Sequence, residues 1–507
     1  PSEMADAASA SQRHVEGTTA FFPAPLGTYA VVIKKNSTMD FTFTFKFLSI
    51  ERTIAISRRW MQFVIITAVI LASTVISFWG NSSMFILLLV LLGGIATILA
   101  LLRQPNFGFI LILLGGIFIP ITGPSNLSAA TVMVAMMLGL WIMNMFVVQK
   151  KVVFIRSAIM TPIVAFLVIS ILSFLIGQIP WFVFAGQAPL TAQVGGFAVF
   201  IFSIGGLLLA AHLIKDVFWL KIITWTFIFV SGGYILARVF NISAVFGLYH
   251  GGFVAQSMFW TWLVALLFGQ LLYNSQMTSR NKIMLYVLLG LTFYVAIGQG
   301  YEWKSGWVPP MIAVVTLLAI RYRKLVAFAI PFIAMIAIYV VVDLIAADSY
   351  SWGTRVDAWR IILEISRVSP LLGMGFANYY WYTPLFPIRG WRVSFNSHSQ
   401  FVDLIAQTGY LGLIAFFWLF FEFGRLAWTV ARKLPDGFAR GYAYGVLAGI
   451  FATVIASILG DWVLPFVYNV GLAGFRASIL PWIFIGGVIS LEQMLRDPST
   501  TSESRFV

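Results

Sequence analysis

Apolar runs of about 15 to 22 residues recur along nearly the whole of this chain, each close to the length a helix needs to cross a hydrocarbon core of roughly 30 Å. Of the 507 residues, 60% are hydrophobic and 10% charged, against roughly 25% charged in an average soluble domain. No soluble fold hides that much apolar surface, so the bilayer is the solvent. The formal net charge of +14 would fit a nucleic-acid binder if the cations lined one helix face. They fall instead in short clusters between apolar runs, which is the mark of membrane topology. Cysteine is absent, so disulfides, thiol chemistry and Cys-ligated metals are excluded.

The expected fold class is all-α: a polytopic membrane protein of about 14 transmembrane helices with one long structured periplasmic loop containing short helices. Spans are read at 61–78, 84–102, 107–121, 127–148, 157–177, 194–213, 217–237, 254–273, 283–298, 307–320, 325–346, 409–430, 441–460 and 477–491. The positive-inside rule tests this division, because short cytoplasmic loops gather Lys and Arg. Every second loop complies: Arg58 and Arg59, Arg103, Lys150 with Lys151 and Arg156, Lys215 with Lys221, Arg280 with Lys282, Arg321 with Arg323 and Lys324, and Arg432 with Lys433 and Arg440. The first three intervening loops hold no Lys or Arg, and the later short ones hold only single cations such as Arg238, Lys304 and Arg476. The resulting organisation is a cytoplasmic N-terminal tail over 1–57, helices 1–11 over 58–346, a periplasmic loop over 347–408, helices 12–14 over 409–491 and a cytoplasmic C-terminal tail over 492–507. The first 57 residues lack the short apolar core and small-residue cleavage site of a signal peptide. Their start reads as a disordered tail, and Phe41 to Phe47 alternates Thr and Phe as an edge or interfacial segment would.

The 347–408 loop is rich in Trp, Tyr and Phe, including Trp352, Trp359, Tyr379, Tyr380, Trp381, Tyr382 and Trp391, where a disordered linker would be aromatic-poor. Thr354 to Val368 reads as a helix. Asp357, Arg360, Glu364 and Arg367 follow a three, four, three spacing and form a solvated face whose members can pair as helical neighbours. Arg355 shares a different face with Trp359 and Ile362, directed at the membrane domain. A cation there is costly unless an anion, a carbonyl or snorkelling relieves it, so Arg355 is either a packing residue or an anion ligand. Pro370-Leu-Leu-Gly-Met-Gly-Phe376 breaks the helix and lets backbone approach closely at Gly373 and Gly375. No strand precedes it, so it is a tight turn and not a dinucleotide fingerprint. Asn396 or Ser397 would cap a second helix beginning near His398. In that helix Gln400, Asp403 and Gln407 share the polar face, whereas His398 lies with Phe401, Val402 and Ile405 and points inward. As a lone His, it is either an interface residue or a catalyst. His250, in a short outer loop, is an accessory candidate.

The order of these features resembles the O-antigen ligase and polymerase superfamily of bacterial envelope glycosyltransferases. The resemblance rests on Arg355-Val-Asp-Ala-Trp359, Pro370-Leu-Leu-Gly-Met-Gly375, and His398 leading to Gly409-Tyr-Leu-Gly412, which together cover about 60 residues between two late spans. Two positions depart from the pattern. Lys304-Ser305-Gly306-Trp307 stands where the family often has Ser-Arg-Gly, and Ser399 follows His398 in place of the usual Asn. The resemblance implies a transferase of the inner membrane, facing the periplasm. It would move a glycan from undecaprenyl diphosphate to an acceptor hydroxyl, either on lipid A core or on a growing polysaccharide. Membrane lipids are the other expected partners and nucleic acid is not one. Arg355 and His398 would be catalytic, with Lys304, Ser305, Trp359, Gly375 and His250 binding substrate. No cofactor is expected and no metal site, since the outer regions show no Asp-x-Asp or clustered His and carboxylate pattern. The rival reading is a lipid-linked glycan transporter or flippase. Such proteins place ionisable or broken-helix sites near the midplane and show internal repeats, in both of which this chain is poor.

The charge alternation makes a direct prediction: a topology reporter fused after Lys433 reads cytoplasmic and one inserted near Gly390 reads external. The opposite reading at either point breaks the span count.

Overall fold

The computed structural model describes residues 40–47, 50–57, 82–120, 127–152, 154–324 and 349–496, with a few positions between 327 and 346. The chain forms two compact units, Pro1–Ala96 and Thr97–Val507. In the first, β1 (Asp40–Phe47) pairs antiparallel with β2 (Ile50–Ser57), Asp40 opposite Ser57 and Phe47 opposite Ile50. This hairpin qualifies the all-α expectation. The Thr and Phe alternation has the period of a strand, two residues, and finds its partner in 50–57. The rest of the 1–57 tail, the expected span 61–78 and most of the span 325–346 lie outside the described residues.

Every other named element except an isolated bridge is helical. α1 (Ser82–Arg103) is followed by α2 (Phe107–Phe118), α3 (Ala129–Met143, widening into a π turn over Asn144–Gln149), α4 (Met160–Ile176), α5 (Leu190–Leu213) and α6 (Val217–Val239). Two four-residue helices, α7 (Ser243–Phe246) and α8 (Gly251–Val254), lead to α9 (Ser257–Tyr273), α10 (Ser279–Phe293) and α11 (Lys304–Arg321). Then come α12 (Ser349–Ile365), α13 (Asn378–Tyr382), α14 (Gln400–Lys433), α15 (Phe438–Leu459) and α16 (Phe475–Arg496). Among the described residues seven stretches are long and apolar enough to cross a membrane, namely Ala129–Gln149, Leu190–Leu213, Val217–Val239, Ser279–Gly298, Gln400–Lys433, Phe438–Leu459 and Leu472–Arg496. Leu92–Arg103, Phe107–Phe118, Met160–Ile176 and Ser257–Tyr273 are shorter apolar helices. The chain is thus a polytopic helical membrane protein.

Helices in a bilayer gain little from burying apolar surface and associate through close packing instead. α15 supplies that closeness. Gly441, Gly445 and Gly449 recur every four residues on one face, and a Cβ on Gly445 would lie 2.8 Å from the Ala265 carbonyl oxygen of α9. On the facing helix, a Cβ on Gly269 would lie 2.5 Å from the Gly441 carbonyl oxygen. Backbone therefore meets backbone, and α9, α11 and α14 gather around α15 while α16 packs along α5. α9 and α16 are almost wholly enclosed, whereas α3 and α10 keep most of their apolar surface outward, as lipid-facing helices do.

α14 is one helix only nominally. At Gly409 the backbone leaves helical geometry (φ 69°, ψ −174°). The turn 370–375 enters the break: Met374 and Gly375 N–H donate to the Ala406 and Gln407 carbonyls at 2.9 and 3.1 Å, and Tyr410 and Leu411 N–H donate to the Pro370 and Leu371 carbonyls at 2.8 and 3.2 Å. A side chain has no room there, since a Cβ on Gly409 would sit 2.2 Å from the Leu371 carbonyl carbon. Left-handed backbone costs a non-glycine residue about 1 to 3 kcal/mol before any clash.

Gly409→Ala is accordingly expected to lower the melting temperature of the purified protein sharply. Gly290→Ala on α10, where a Cβ meets nothing within 4 Å, should be neutral or stabilising by up to about 1 kcal/mol. Equal melting temperatures for the two variants would disprove the interlock.

Candidate functional site

α12 and the start of α14 build a lobe with its own small core. Ile362 and Ile365 of α12 meet Met374, Tyr379, Tyr382, Val402, Ala406 and Phe466, and Trp181 and Phe182 close one side. Three connections contribute, including the stretches after α4 and after α15, so the long loop is one part of a larger body. The expected salt-bridged face of α12 is present in part. Glu364 and Arg367 pair at 2.8 Å in the open, but Asp357 turns to Arg389, 2.9 Å away in the Ile388–Trp391 turn. The indole N–H of Trp359 donates to the Ser397 carbonyl at 2.6 Å, and Trp352 stands edge-on to Trp359 at 5.8 Å. Through that bond α12 holds the segment carrying His398.

His398 is not on a helix face. α14 begins at Gln400 with Ser399 as its N-cap, and His398 lies before it in the left-handed region at φ 49°. The helical-angle argument therefore does not apply to it. The left-handed turn exposes His398 while its neighbours Ser397 and Ser399 are buried. The face read as polar is the buried one: Gln400, Asp403 and Gln407 are all at 2% exposure or less. Sequence sorting treats polar residues as the outer face, and here each has a partner that only the tertiary fold provides. Asp403 Oδ1 accepts from the Tyr379 hydroxyl at 2.5 Å and lies 2.7 Å from Ser397 Oγ. Ser397 Oγ in turn accepts from the Ser399 N–H at 2.9 Å. Gln400 Oε1 accepts from Leu464 N–H at 2.8 Å and its amide donates to the Leu464 carbonyl at 3.3 Å. Gln407 Oε1 accepts from Ala377 N–H at 3.4 Å.

A second buried carboxylate, Asp461, lies close enough for its charge to act on both Asp403 and Tyr379. It accepts from Phe466 N–H at 2.7 Å and Asn469 Nδ2 at 2.5 Å. Burial pushes Asp461 up to about 6, with those two hydrogen bonds pulling the other way. Above this scaffold His398 is held below its ordinary value, first by loss of solvent and then by the nearby Arg355 cation. A depressed pKa keeps the imidazole neutral at pH 7 and able to accept a proton.

The structure thus brings Arg355, Trp359 and His398 together. Gly375 belongs to the frame of the site and not to its open surface: it is buried at φ 82°, and a Cβ there would lie 2.3 Å from Gly177 Cα. Its close approach is to protein backbone. Asn378 locks the same junction, donating to the Gly177 and Met374 carbonyls at 2.8 Å each and accepting from Ala188 N–H at 3.0 Å. Lys304 and Ser305 stand at the start of α11, both buried. The ammonium of Lys304 lies 3.4 Å from the Tyr301 ring centroid and 5.7 Å from that of Trp307, and Ser305 Oγ donates to the Leu459 carbonyl at 3.5 Å. His250 caps α8, its Nδ1 accepting from Gly252 N–H at 2.9 Å, and is held below its ordinary value by loss of solvent and then by Arg476. Arg476, fully buried at the start of α16, donates to the Ile119 carbonyl at 2.6 Å.

Ser397, Asp403, Asp461 and Arg476 were not singled out as site residues from the sequence. Asp461 did leave a signal, a lone carboxylate in the otherwise apolar stretch Leu459-Gly-Asp-Trp-Val-Leu464. Among the described residues no three of His, Asp and Glu converge as a metal site would require.

A family model described as O-antigen ligase matches residues 262–417, a little under a third of the chain. No curated protein matches the chain. The matched stretch runs from α9 to the first turns of α14 beyond the kink and holds Lys304, Arg355, Gly375 and His398, and over that stretch the chain is similar to the O-antigen ligase and polymerase superfamily, as the motifs of the 347–408 loop led one to expect.

Proposed function

We propose that this protein is a membrane glycosyltransferase that moves a glycan from undecaprenyl diphosphate to an acceptor hydroxyl at the periplasmic face of the inner membrane. The observation that carries the proposal is the nearness of Arg355 to an exposed His398 held in a left-handed turn on a buried polar scaffold. The charge alternation supports the orientation, with the lobe outside and the Lys- and Arg-rich loops inside. The fourteen-span count belongs to the same reading.

In the step proposed, the acceptor oxygen attacks the anomeric carbon as the bond from that carbon to the diphosphate oxygen breaks. The bonding pair leaves with undecaprenyl diphosphate, and His398 takes the hydroxyl proton as general base. Negative charge grows on the bridging oxygen, where a preplaced cation is worth most. Arg355, with its fork of donors, meets a diphosphate with paired hydrogen bonds. One displacement inverts the anomeric centre. Lys304 stands in for the family arginine, one position earlier, and Trp359 keeps the His398 segment against α12. The acceptor is lipid A core in a ligase and the end of a second carrier-linked glycan in a polymerase.

His398→Asn tests the chemistry without removing the turn, because Asn tolerates left-handed backbone. It and Arg355→Ala should each cut transfer by about 10²-fold or more in proteoliposomes supplied with a lipid-linked glycan. Arg355→Lys should not restore the rate, since a bidentate contact does not survive that exchange. Arg360→Ala and Arg367→Ala, on the open face of α12, keep activity, an exposed pair contributing roughly 0 to 1 kcal/mol to stability. If all four alanine and asparagine variants behave alike, the assignment fails.

Two further measurements bear on the mechanism. Because the neutral imidazole is the active form and its pKa is depressed, the acid limb of the pH–rate profile should fall below about 6.5, the ordinary histidine value. A limb at or above that value argues against His398 as base. Transfer should also persist in excess chelator. A requirement for Mg²⁺ or Mn²⁺, restored on adding it back, would overturn the all-side-chain mechanism.

A further inference from the structure

At the end of α14 away from the lobe, α9, α11, α14 and α15 line an open cavity of about 810 Å³. Its walls carry five cations: Arg321, Arg323 and Lys324 from the end of α11, Arg432 from the end of α14 and Arg440 from the start of α15. The carboxylate seen against them among the described residues is Asp436, which pairs with Arg440. Arg321, Arg323, Lys324 and Arg432 are exposed. Aromatic rings form the floor. Tyr273 and Tyr444 stack at 4.0 Å, with Arg321 5.7 Å from the first ring centroid and Arg440 6.0 Å from the second. A second cavity of about 470 Å³ shares Ile320, Arg323 and Trp428 as a wall with the first and runs along the same helices towards the middle of the bundle. Its lining is apolar, through Val315, Ala319, Leu447 and Phe451, and Phe451 is 53% exposed on the helix surface.

We infer that these two cavities together form a binding site for an anionic phospholipid, the phosphate among the five cations and an acyl chain in the apolar cleft. Like charges held within one cavity repel one another, and an anion relieves that repulsion. A soluble anion would satisfy the first cavity alone. The second, apolar and open at Phe451 to the bilayer, suits only an anion carrying a hydrocarbon chain. Basic pockets between transmembrane helices are where acidic lipid head groups are recognised, and here the pocket and the chain cleft meet at Arg323 and Trp428. The site stands apart from the transfer chemistry. Its leaflet, the inner one, rests on the orientation proposed above.

Trp428, at the junction, provides the readout. Full-length protein in detergent is titrated with phosphatidylglycerol or phosphatidylcholine bearing brominated chains, and the quenching due to Trp428 is taken as the difference between wild type and Trp428→Phe. Phosphatidylglycerol should quench at concentrations at least about tenfold lower. Arg323→Gln combined with Arg432→Gln should remove most of that preference, since each cation near an anionic head group contributes several-fold in affinity. Both arginines are exposed, so the fold tolerates the change, and the wild-type comparison of the two lipids stands without any variant. Inorganic phosphate at millimolar concentration should not displace the brominated lipid. Equal quenching by the two lipids, a preference that survives the double substitution, or displacement by inorganic phosphate would each overturn the proposal.

Discussion

A helix that breaks within a membrane protein leaves carbonyls on one side of the break and N–H groups on the other, and each must find a partner. At Gly409 a single turn, 370–375, supplies both sets through four backbone hydrogen bonds. Each bond left unmade in a buried setting costs about 1 to 3 kcal/mol. Most of the lobe depends on this join. It takes up the chain soon after α12 ends, since only the 3-10 turn Ser366–Val368 separates that helix from Ser369 and Pro370, and it fixes the direction in which 400–408 leaves the membrane helix. It also positions Gly375 against Gly177, through which the connection after α4 becomes part of the same body.

A second constraint lies beneath His398. A left-handed residue that is not glycine is unfavourable by itself, so something else must hold the turn. The buried set Ser397, Tyr379 and Asp403, with Gln400 tied to Leu464, does so from below. A buried carboxyl is costly unless hydrogen-bonded, and Asp403 Oδ1 has two hydroxyls for that purpose. The same scaffold that makes the turn rigid leaves the imidazole itself open, beside Arg355. Catalytic groups need this combination of fixed backbone and accessible side chain, because a small displacement of the base loses much of its effect.

Much of the architecture was legible because it follows from length and period. The spans over 129–149, 190–213 and 438–459 could be read as apolar runs bounded by charge, and α12 could be read from its amphipathic spacing. The motif Pro370 to Gly375 was legible as a turn, and Arg355, singled out from its spacing, lies near enough to His398 for its charge to act there. What escaped has a common cause. Residues 400–407 were sorted by the rule that polar means outward, which fails where the polar side chains find buried partners distant in sequence, Gln400 at Leu464, Asp403 at Tyr379 and Gln407 at Ala377. The start of α14 was placed two residues early because Asn396 and Ser397 are good caps locally, whereas tertiary bonds made Ser399 the boundary. The hairpin over 40–57 showed its alternation in the sequence, but only the pairing with 50–57 turns alternation into a strand.

The interlock at Gly409 also sets an order of events during synthesis. The turn 370–375 leaves the ribosome before the helix it completes, so until Tyr410 and Leu411 follow, two of its carbonyls wait for donors. Gln400 and Tyr379 wait longer, for Leu464 and Phe466, which emerge only after all of α15. The lobe cannot therefore mature as an independent unit between membrane insertions. It closes late, once α15 and the connection after it have emerged, and a chain arrested before α15 would carry every residue of the matched stretch 262–417 without the surroundings that give His398 its turn.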